Sequence, residues 1–233
     1  MFSISAKWYD AIYRFKNYCK ESDAIMALIK EKHPAARTIL DIACGTAEHD
    51  RYLTQKFQVD GLDISPEFIA IARDKNPTGS YFVGDMVQFS LKRRYDVILC
   101  LFSSIGYVRT IQNARKAIQC FAAHLNEQGI ILLEPWFTNE TWITDGTVHM
   151  LNSEIQDQKI CRMSLSKKKG NLSIIDFHYL IGANEKIRHF QERHELGLFS
   201  HDEILDAFTR SDLDVEYDAD GLTGRGLYMA RAK

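Results

Sequence analysis

Residues 38–49 read TILDIACGTAEH, and this stretch decides the fold. A short apolar run carries one acid, Asp41, and then breaks into a turn with a single glycine, Gly45. A strand-length apolar run feeding a glycine turn is the opening unit of a nucleotide-holding parallel sheet. Outward from it, apolar runs return at Val59–Asp63, Tyr81–Val83, Tyr95–Leu101 and Gly129–Glu134. Helical stretches fill the gaps at His49–Phe57, Pro66–Lys75 and Gln112–Asn126. In the last, Ala114, Ala117, Ile118, Phe121, Ala122 and Leu125 recur at helical spacing. Strand and helix in alternation predict an α/β fold, a parallel sheet covered on both faces with right-handed crossovers.

The flanks differ from this core. Residues 1–37 read as a helical cap with aromatics at Trp8, Tyr9, Tyr13 and Phe15, and a second helix starting at Ser22 as N-cap. Residues 147–199 alternate in polarity, as in Ile175-Asp176-Phe177-His178-Tyr179, which predicts an antiparallel β insertion. A capping box at Ser200 and Glu203 opens a helix, and two strands, Leu213–Tyr217 and Leu227–Ala230, close the sheet at seven. Residues 1–233 are expected to form a single domain.

Composition excludes several classes. The formal net charge is −2, which gives no electrostatic ground for a nucleic-acid partner. The one basic run, Lys167-Lys168-Lys169, leads into Gly170-Asn171 and reads as a solvated hairpin tip. Cys19, Cys44, Cys100, Cys120 and Cys161 are odd in number and none stand at metal-ligand spacing, so they read as free thiols in a reducing compartment. The eight histidines form no ligand pattern, so no metal is expected. His124, late in a helix, reads as a charge partner of the helix C-terminus. Ser103-Ser104 lacks the Gly-x-Ser-x-Gly elbow of a hydrolase. With no signal-type segment and no apolar run near ~20 residues, the expected location is the cytoplasm, with no membrane partner. The sequence leaves the oligomeric state open, a homodimer included.

In open parallel sheets, ligands sit beyond the carboxyl ends of the strands. Asp63 ends the second run, about 20 residues past the glycine turn, where a carboxylate accepts both ribose hydroxyls of an adenosine. The turn itself lacks Gly-x-Gly-x-x-Gly and places Glu48 where a pyrophosphate would need backbone N–H groups. The ligand is therefore an adenosine without phosphates. S-adenosylmethionine fits, with its ribose at Asp63, its adenine amine at Asp85 and its methionine tail near Gly45.

DIACGT (41–46), GLDIS (61–65) and GDM (84–86), taken together and in order, resemble the motifs of class I S-adenosylmethionine-dependent methyltransferases, whose fold is Rossmann-like. One departure is Ala47, where many relatives have glycine; a methyl group is tolerated there if φ is negative. Across nearly the whole chain, YDAIYRFKNY, CLFSSIGY, LLEPWF, RMSLS, RHF and GRGLY are similar to the N,N-dimethyltransferases of dTDP-linked aminodeoxysugars, the group that includes the desosamine and mycaminose enzymes. The resemblance implies a nucleotide-sugar substrate and direct transfer of a methyl to its amine. It implies a cofactor set of Tyr18 at the carboxylate, Ala43 and Gly45 by backbone approach, Asp63, Ile64, Asp85, Met86, and Leu101 against adenine. It assigns Tyr13 and Arg225 to the sugar nucleotide, and Tyr13 stands with Tyr107 as a catalytic candidate.

Arg162, Ser164 and Ser166 alternate along one strand and so share a face, which suits a diphosphate or is simply the wet face of a sheet. His149 is added on the same ground. Arg225, between Gly224 and Gly226, suits a phosphate or a surface salt bridge. Trp136 and Phe137 stack on thymine or close the core. Tyr107, just past the fourth run, is the candidate to hold the amine or relay its proton. The rival functions are methylation of another small amine or hydroxyl without a nucleotide, and a non-catalytic cofactor-binding subunit.

Overall fold

The computed structural model describes residues 5–232. Seven strands make one sheet: β1 (Thr38–Ile42), β2 (Gln58–Asp63), β3 (Tyr81–Val83), β4 (Tyr95–Cys100), β5 (Leu125–Leu133), β10 (Leu213–Asp218) and β11 (Leu227–Ala232). Their order is β10-β11-β5-β4-β1-β2-β3, and all run parallel except β11, which is antiparallel to both neighbours. The sequence order therefore reverses between β1 and β4, the place where an open sheet offers a crevice. β1 is buried along almost all of its length, as a central strand covered on both faces must be.

Helices α2 (Tyr18–Lys32), α4 (Pro66–Lys75), α5 (Ile111–Ala123) and α6 (His201–Thr209) pack on the sheet, after the short turns α1 (Tyr9–Ile12) and, past β1, α3 (Asp50–Leu53). The predicted capping box of α6 is formed in full. A second sheet, order β6-β7-β8-β9, is wholly antiparallel: β6 (Val148–Ile155), β7 (Gln158–Lys169), β8 (Leu172–Ala183) and β9 (Lys186–Gly197). Its β7–β8 hairpin turns at Gly170, where φ is +58°, so the lysine run does lead into a hairpin tip. Trp8, Ile12 and Tyr13 pack against Ile160, Phe177, Tyr179 and Ile181 of this sheet, so the N-terminal segment joins the two sheets.

Four local expectations are corrected. Ser22 is no N-cap: Asn17 caps α2 by accepting from Lys20 N, and Ser22 lies buried inside the helix with its hydroxyl on His49 O. The helix expected over 49–57 is the single turn α3. α5 ends at Ala123, and Leu125 already belongs to β5. His124 is not a charge partner. Its Nε2 accepts from Leu91 N at 2.9 Å while Nδ1 donates to Cys120 O at 2.7 Å, so the neutral ring bridges two backbone groups.

Candidate active site

The carboxyl edge of the parallel sheet and the second sheet enclose a cavity of about 620 Å³. Its floor is built by backbone requirements. After β1, Ala43, Gly45 and Ala47 all stand at φ +57°, so the chain doubles back in left-handed steps. At Gly45 that conformation favours glycine, and a Cβ there would meet no atom within 4 Å. The turn is pinned by Asp63, whose Oδ2 accepts from Gly45 N at 2.9 Å and whose Oδ1 accepts from Ser65 N at 2.8 Å. Burial raises the Asp63 pKa, against the backbone donors that lower it. Ala47 contradicts the expected negative φ. Its methyl is tolerated because it packs beside Ile69, Ala72 and Tyr81, which offsets the left-handed strain.

A carboxylate has about four lone-pair directions, so Asp63 can still accept from two ribose hydroxyls. With the open space over Gly45, the residues present fit an adenosine-bearing cofactor. Ala43, Asp63, Ile64 and Met86 line the cavity, with Ser65 and Phe68 beside them. Asp85 stands next to Met86 at the same edge, its Oδ1 accepting from Val87 N. Leu101 is packed into the core with Val97, Leu99 and Leu227 and does not line the cavity; its neighbour Phe102 does.

The near wall is the N-terminal segment. Tyr9, Tyr13 and Phe15 line the cavity, and Tyr9 packs on Tyr13 and Phe68. Asp10 fastens this wall to the floor, accepting from Thr46 Oγ1 at 2.5 Å and pairing with Lys75 at 2.8 Å. Glu48 pairs with the same lysine at 2.6 Å. Tyr18 opens α2 and sits edge-on to His49, lining a smaller cleft with Asp10, Glu48 and Tyr52 instead of the main cavity.

The far wall gathers around Arg225. Its guanidinium lies 5.5–5.8 Å from the ring centres of Phe102, Trp136 and Phe137 and donates to Ser103 Oγ at 3.2 Å. No ion pair to Arg225 forms among the described residues, so the salt-bridge alternative lacks a partner. The flanking glycines have a backbone reason. Gly224 and Gly226 stand at φ +79° and +86°, and a Cβ on Gly226 would run into the Tyr217 ring. Buried Glu134 ties this loop to β4, accepting from Thr223 Oγ1 and from Phe102 N.

The second sheet forms the roof. The register sets His149 beside Ser164, Ser164 beside Phe177, and Ser166 beside Ile175, so these residues share one face. Phe177 and Ile175 line the cavity; His149, Arg162, Ser164 and Ser166 extend the same face outside that lining. Arg162 folds back, donating to Tyr13 Oη at 3.0 Å and lying 4.7 Å from the Phe177 ring centre. Tyr107 lines the cavity from a 3-10 turn, Ser104–Val108, bracketed by the left-handed residues Ser103 and Arg109. Burial raises its pKa well above the usual phenol range, so tyrosinate is not available to it at neutral pH. Its hydroxyl meets His194 Nδ1 at 2.8 Å.

His194, Glu192, Arg193, Glu195 and Leu196 were all missed. The available signal was the period of two: Phe190 and Leu196 face inward, so Glu192 and His194 must as well.

Comparison with known proteins agrees with this geometry. Residues 39–129 match a family described as "Methyltransferase domain". The chain is 37% identical over 227 residues to the dTDP-3-amino-3,6-dideoxy-alpha-D-glucopyranose N,N-dimethyltransferase of Streptomyces fradiae, covering 96% of this chain and 89% of that one. It is 35% identical to the dTDP-3-amino-3,4,6-trideoxy-alpha-D-glucopyranose N,N-dimethyltransferase of Streptomyces venezuelae, covering 95% and 94%. DesVI of Streptomyces venezuelae superposes with a TM-score of 0.92 at 33% identity, each chain covered in full. A SAM-bound amino pentose methyltransferase from Micromonospora echinaspora superposes at 0.86 with 30% identity, covering 100% and 98%. The chain belongs to the class I S-adenosylmethionine-dependent methyltransferases, in the family of the dTDP-aminosugar N,N-dimethyltransferases.

Proposed function

We propose that this chain methylates the amino group of a dTDP-linked aminodeoxyhexose, twice, to give the N,N-dimethyl product. One observation carries the reading. The likeness to enzymes of that class runs through 95–96% of the chain, so it takes in the roof and the glycine loop as well as the cofactor floor. Among the described residues, no helix is long and apolar enough to cross a membrane.

S-adenosylmethionine supplies an electrophilic methyl on sulfur, so the protein need only present a neutral amine in line with it. Asp63 and the Gly45 turn hold the donor's ribose side, with Ala43, Ile64, Asp85 and Met86 around the base; Tyr18 is assigned to the carboxylate end, and Leu101 supports adenine from beneath Phe102. Tyr13 and Tyr107 face the sugar across the cavity. Arg225, caged by aromatic rings and lacking a carboxylate, offers its guanidinium to the diphosphate. Arg162, Ser164, Ser166 and His149 continue that polar face along the roof. The N-terminal aromatic wall excludes water, and fixed alignment of the reactants supplies much of the rate. Residues 1–37 and 147–199 act as cap and insertion of a single domain.

Mixing the purified chain with labelled S-adenosylmethionine and a panel of dTDP-aminosugars differing in the amine's position tests this. The expected result is a mass gain of two methyl groups on one panel member. Methylation of a free amine or hydroxyl alone would overturn the nucleotide-sugar reading, and no transfer at all would make the chain a cofactor-binding subunit.

A further inference from the structure

The proposed reaction needs the substrate's ammonium to lose a proton, and the candidate group on the cavity wall, Tyr107, is a phenol. Tyr107 cannot hold that proton alone, because a protonated phenol is not a stable resting place for it. The structure supplies a second group directly behind. The Tyr107 hydroxyl lies 2.8 Å from His194 Nδ1, the His194 side chain is wholly buried, and Glu192 Oε2 is 3.7 Å from Nε2. Glu192 is itself fixed, its two oxygens accepting from Ser5 N at 3.0 Å and Ser5 Oγ at 2.7 Å. A carboxylate on the Nε2 side favours the proton there, so Nδ1 is the acceptor and the Tyr107 hydroxyl donates to it.

We propose that His194, oriented by Glu192, receives the substrate's ammonium proton through the Tyr107 hydroxyl. An ammonium N–H bond breaks as an O–H bond forms on Tyr107. The original Tyr107 O–H breaks as an N–H bond forms on His194 Nδ1. The amine is left neutral with its lone pair free, and the imidazolium faces the Glu192 carboxylate. The proton returns to solvent by the same route once product leaves, which readies the site for the second methylation. Tyrosinate is never required, so the raised phenol pKa is no obstacle.

Among the described residues, the charged groups acting on the ring are Glu192 on its own strand, which favours the imidazolium, and Arg162 on β7, which opposes it. Burial keeps the resting ring neutral and so able to accept. His194 cannot touch substrate from its buried place; it is a positioning residue that acts through Tyr107. This inference rests on the amine-methylation reading above.

The test is a pH–rate series on wild type, His194→Gln and Tyr107→Phe with a dTDP-aminosugar. At neutral pH both variants should lose kcat on the order of a hundredfold, the usual scale of general acid–base help, with KM and melting temperature unchanged. Their kcat should recover as pH rises toward the ammonium's own pKa, about 8–10 by analogy with α-amino and lysine groups. Added imidazole should restore His194→Gly. Wild-type kcat in the variants, or a loss equal at every pH, would overturn the relay, and Tyr107→Phe decides the matter if His194→Gln does not fold. A wild type that methylates no amine would instead overturn the function reading.

Discussion

The floor and the roof of the cavity carry their information differently. In the floor, the backbone does the selecting. Three left-handed residues in a row of five, Ala43, Gly45 and Ala47, and a carboxylate that accepts from Gly45 and Ser65, can be met by few residue types. In the roof, four long antiparallel strands accept almost any alternating sequence, and function rests on which side chains happen to face inward. Floor positions are therefore restricted to residues that meet the backbone's demands, whereas roof residues are tunable, as suits a shared cofactor and a variable acceptor.

Asp63→Ala should give the largest effect, because it strips both the ribose acceptor and the pin of the glycine turn. Hydrogen bonds to a charged group are worth roughly 1.5–3 kcal/mol each, so cofactor affinity should fall by at least about tenfold and the melting temperature should drop as well. Calorimetry with S-adenosylmethionine reads the first and a thermal melt the second. Unchanged affinity would mean that the floor is not where the cofactor's ribose sits.

Arg225→Ala tests the acceptor side. Loss of charge-assisted bonds to a phosphate should weaken dTDP-sugar binding on the order of tenfold or more, and leave cofactor affinity unchanged. Melting temperature should hardly move, since among the described residues the side chain has aromatic neighbours and a serine but no ion pair to lose. Equal loss for both ligands would remove the distinction between the two regions.

The same contrast explains what was legible in the sequence. DIACGT and GLDIS stand out because Ala43, Gly45 and Asp63 meet backbone demands; of the positions drawn from the three motifs, Ala43, Asp63, Ile64 and Met86 line the cavity, whereas Gly45 and Asp85 do not. Helix boundaries were less legible. Ser22 has the chemistry of an N-cap, yet Asn17 captured the helix start, and Ser22 was spent inside it. In the roof, His149, Ser164 and Ser166 were correctly placed on one face, but the cavity's lining turned out to be Ile175 and Phe177, their cross-strand neighbours. His194 and Glu192 lack any motif; only register with Phe177 and Ile175 brings them beneath Tyr107.

A third prediction concerns acids beneath the floor. Asp50 is fully buried, accepts from Tyr81 Oη at 2.9 Å and faces Asp41. Burial pushes its pKa from 3.8 up to about 6, and raises Asp41 as well. A carboxyl whose folded pKa is raised binds its proton more tightly in the folded state, so its contribution to stability is present at low pH and is lost as pH rises from about 4 to about 6. Asp50→Asn removes that loss while keeping an acceptor for Tyr81. The variant's melting temperature should gain on wild type across that interval and keep the gain above it. A difference independent of pH would show that the Asp50 pKa is not raised in the folded protein.

The smallest effect isolates the backbone term that gives the floor its signature. Ala47 and Ala72 are both fully buried in one small cluster, so changing either to glycine removes the same methyl group, worth about 0.8 kcal/mol. Their backbones differ. Ala72 lies inside α4, where glycine costs about 1 kcal/mol more than alanine. Ala47 stands at φ +57°, where alanine carries a strain of roughly 1–2 kcal/mol that glycine does not, less the extra entropy glycine loses on folding, about 0.5–1 kcal/mol. The methyl loss and the strain relief nearly cancel for Ala47→Gly, while both terms are unfavourable for Ala72→Gly. Paired denaturant titrations should therefore find Ala47→Gly close to neutral and Ala72→Gly weaker by roughly 2 kcal/mol, the sum of its helix and methyl terms. Equal losses would mean that the left-handed turn carries no strain at Ala47.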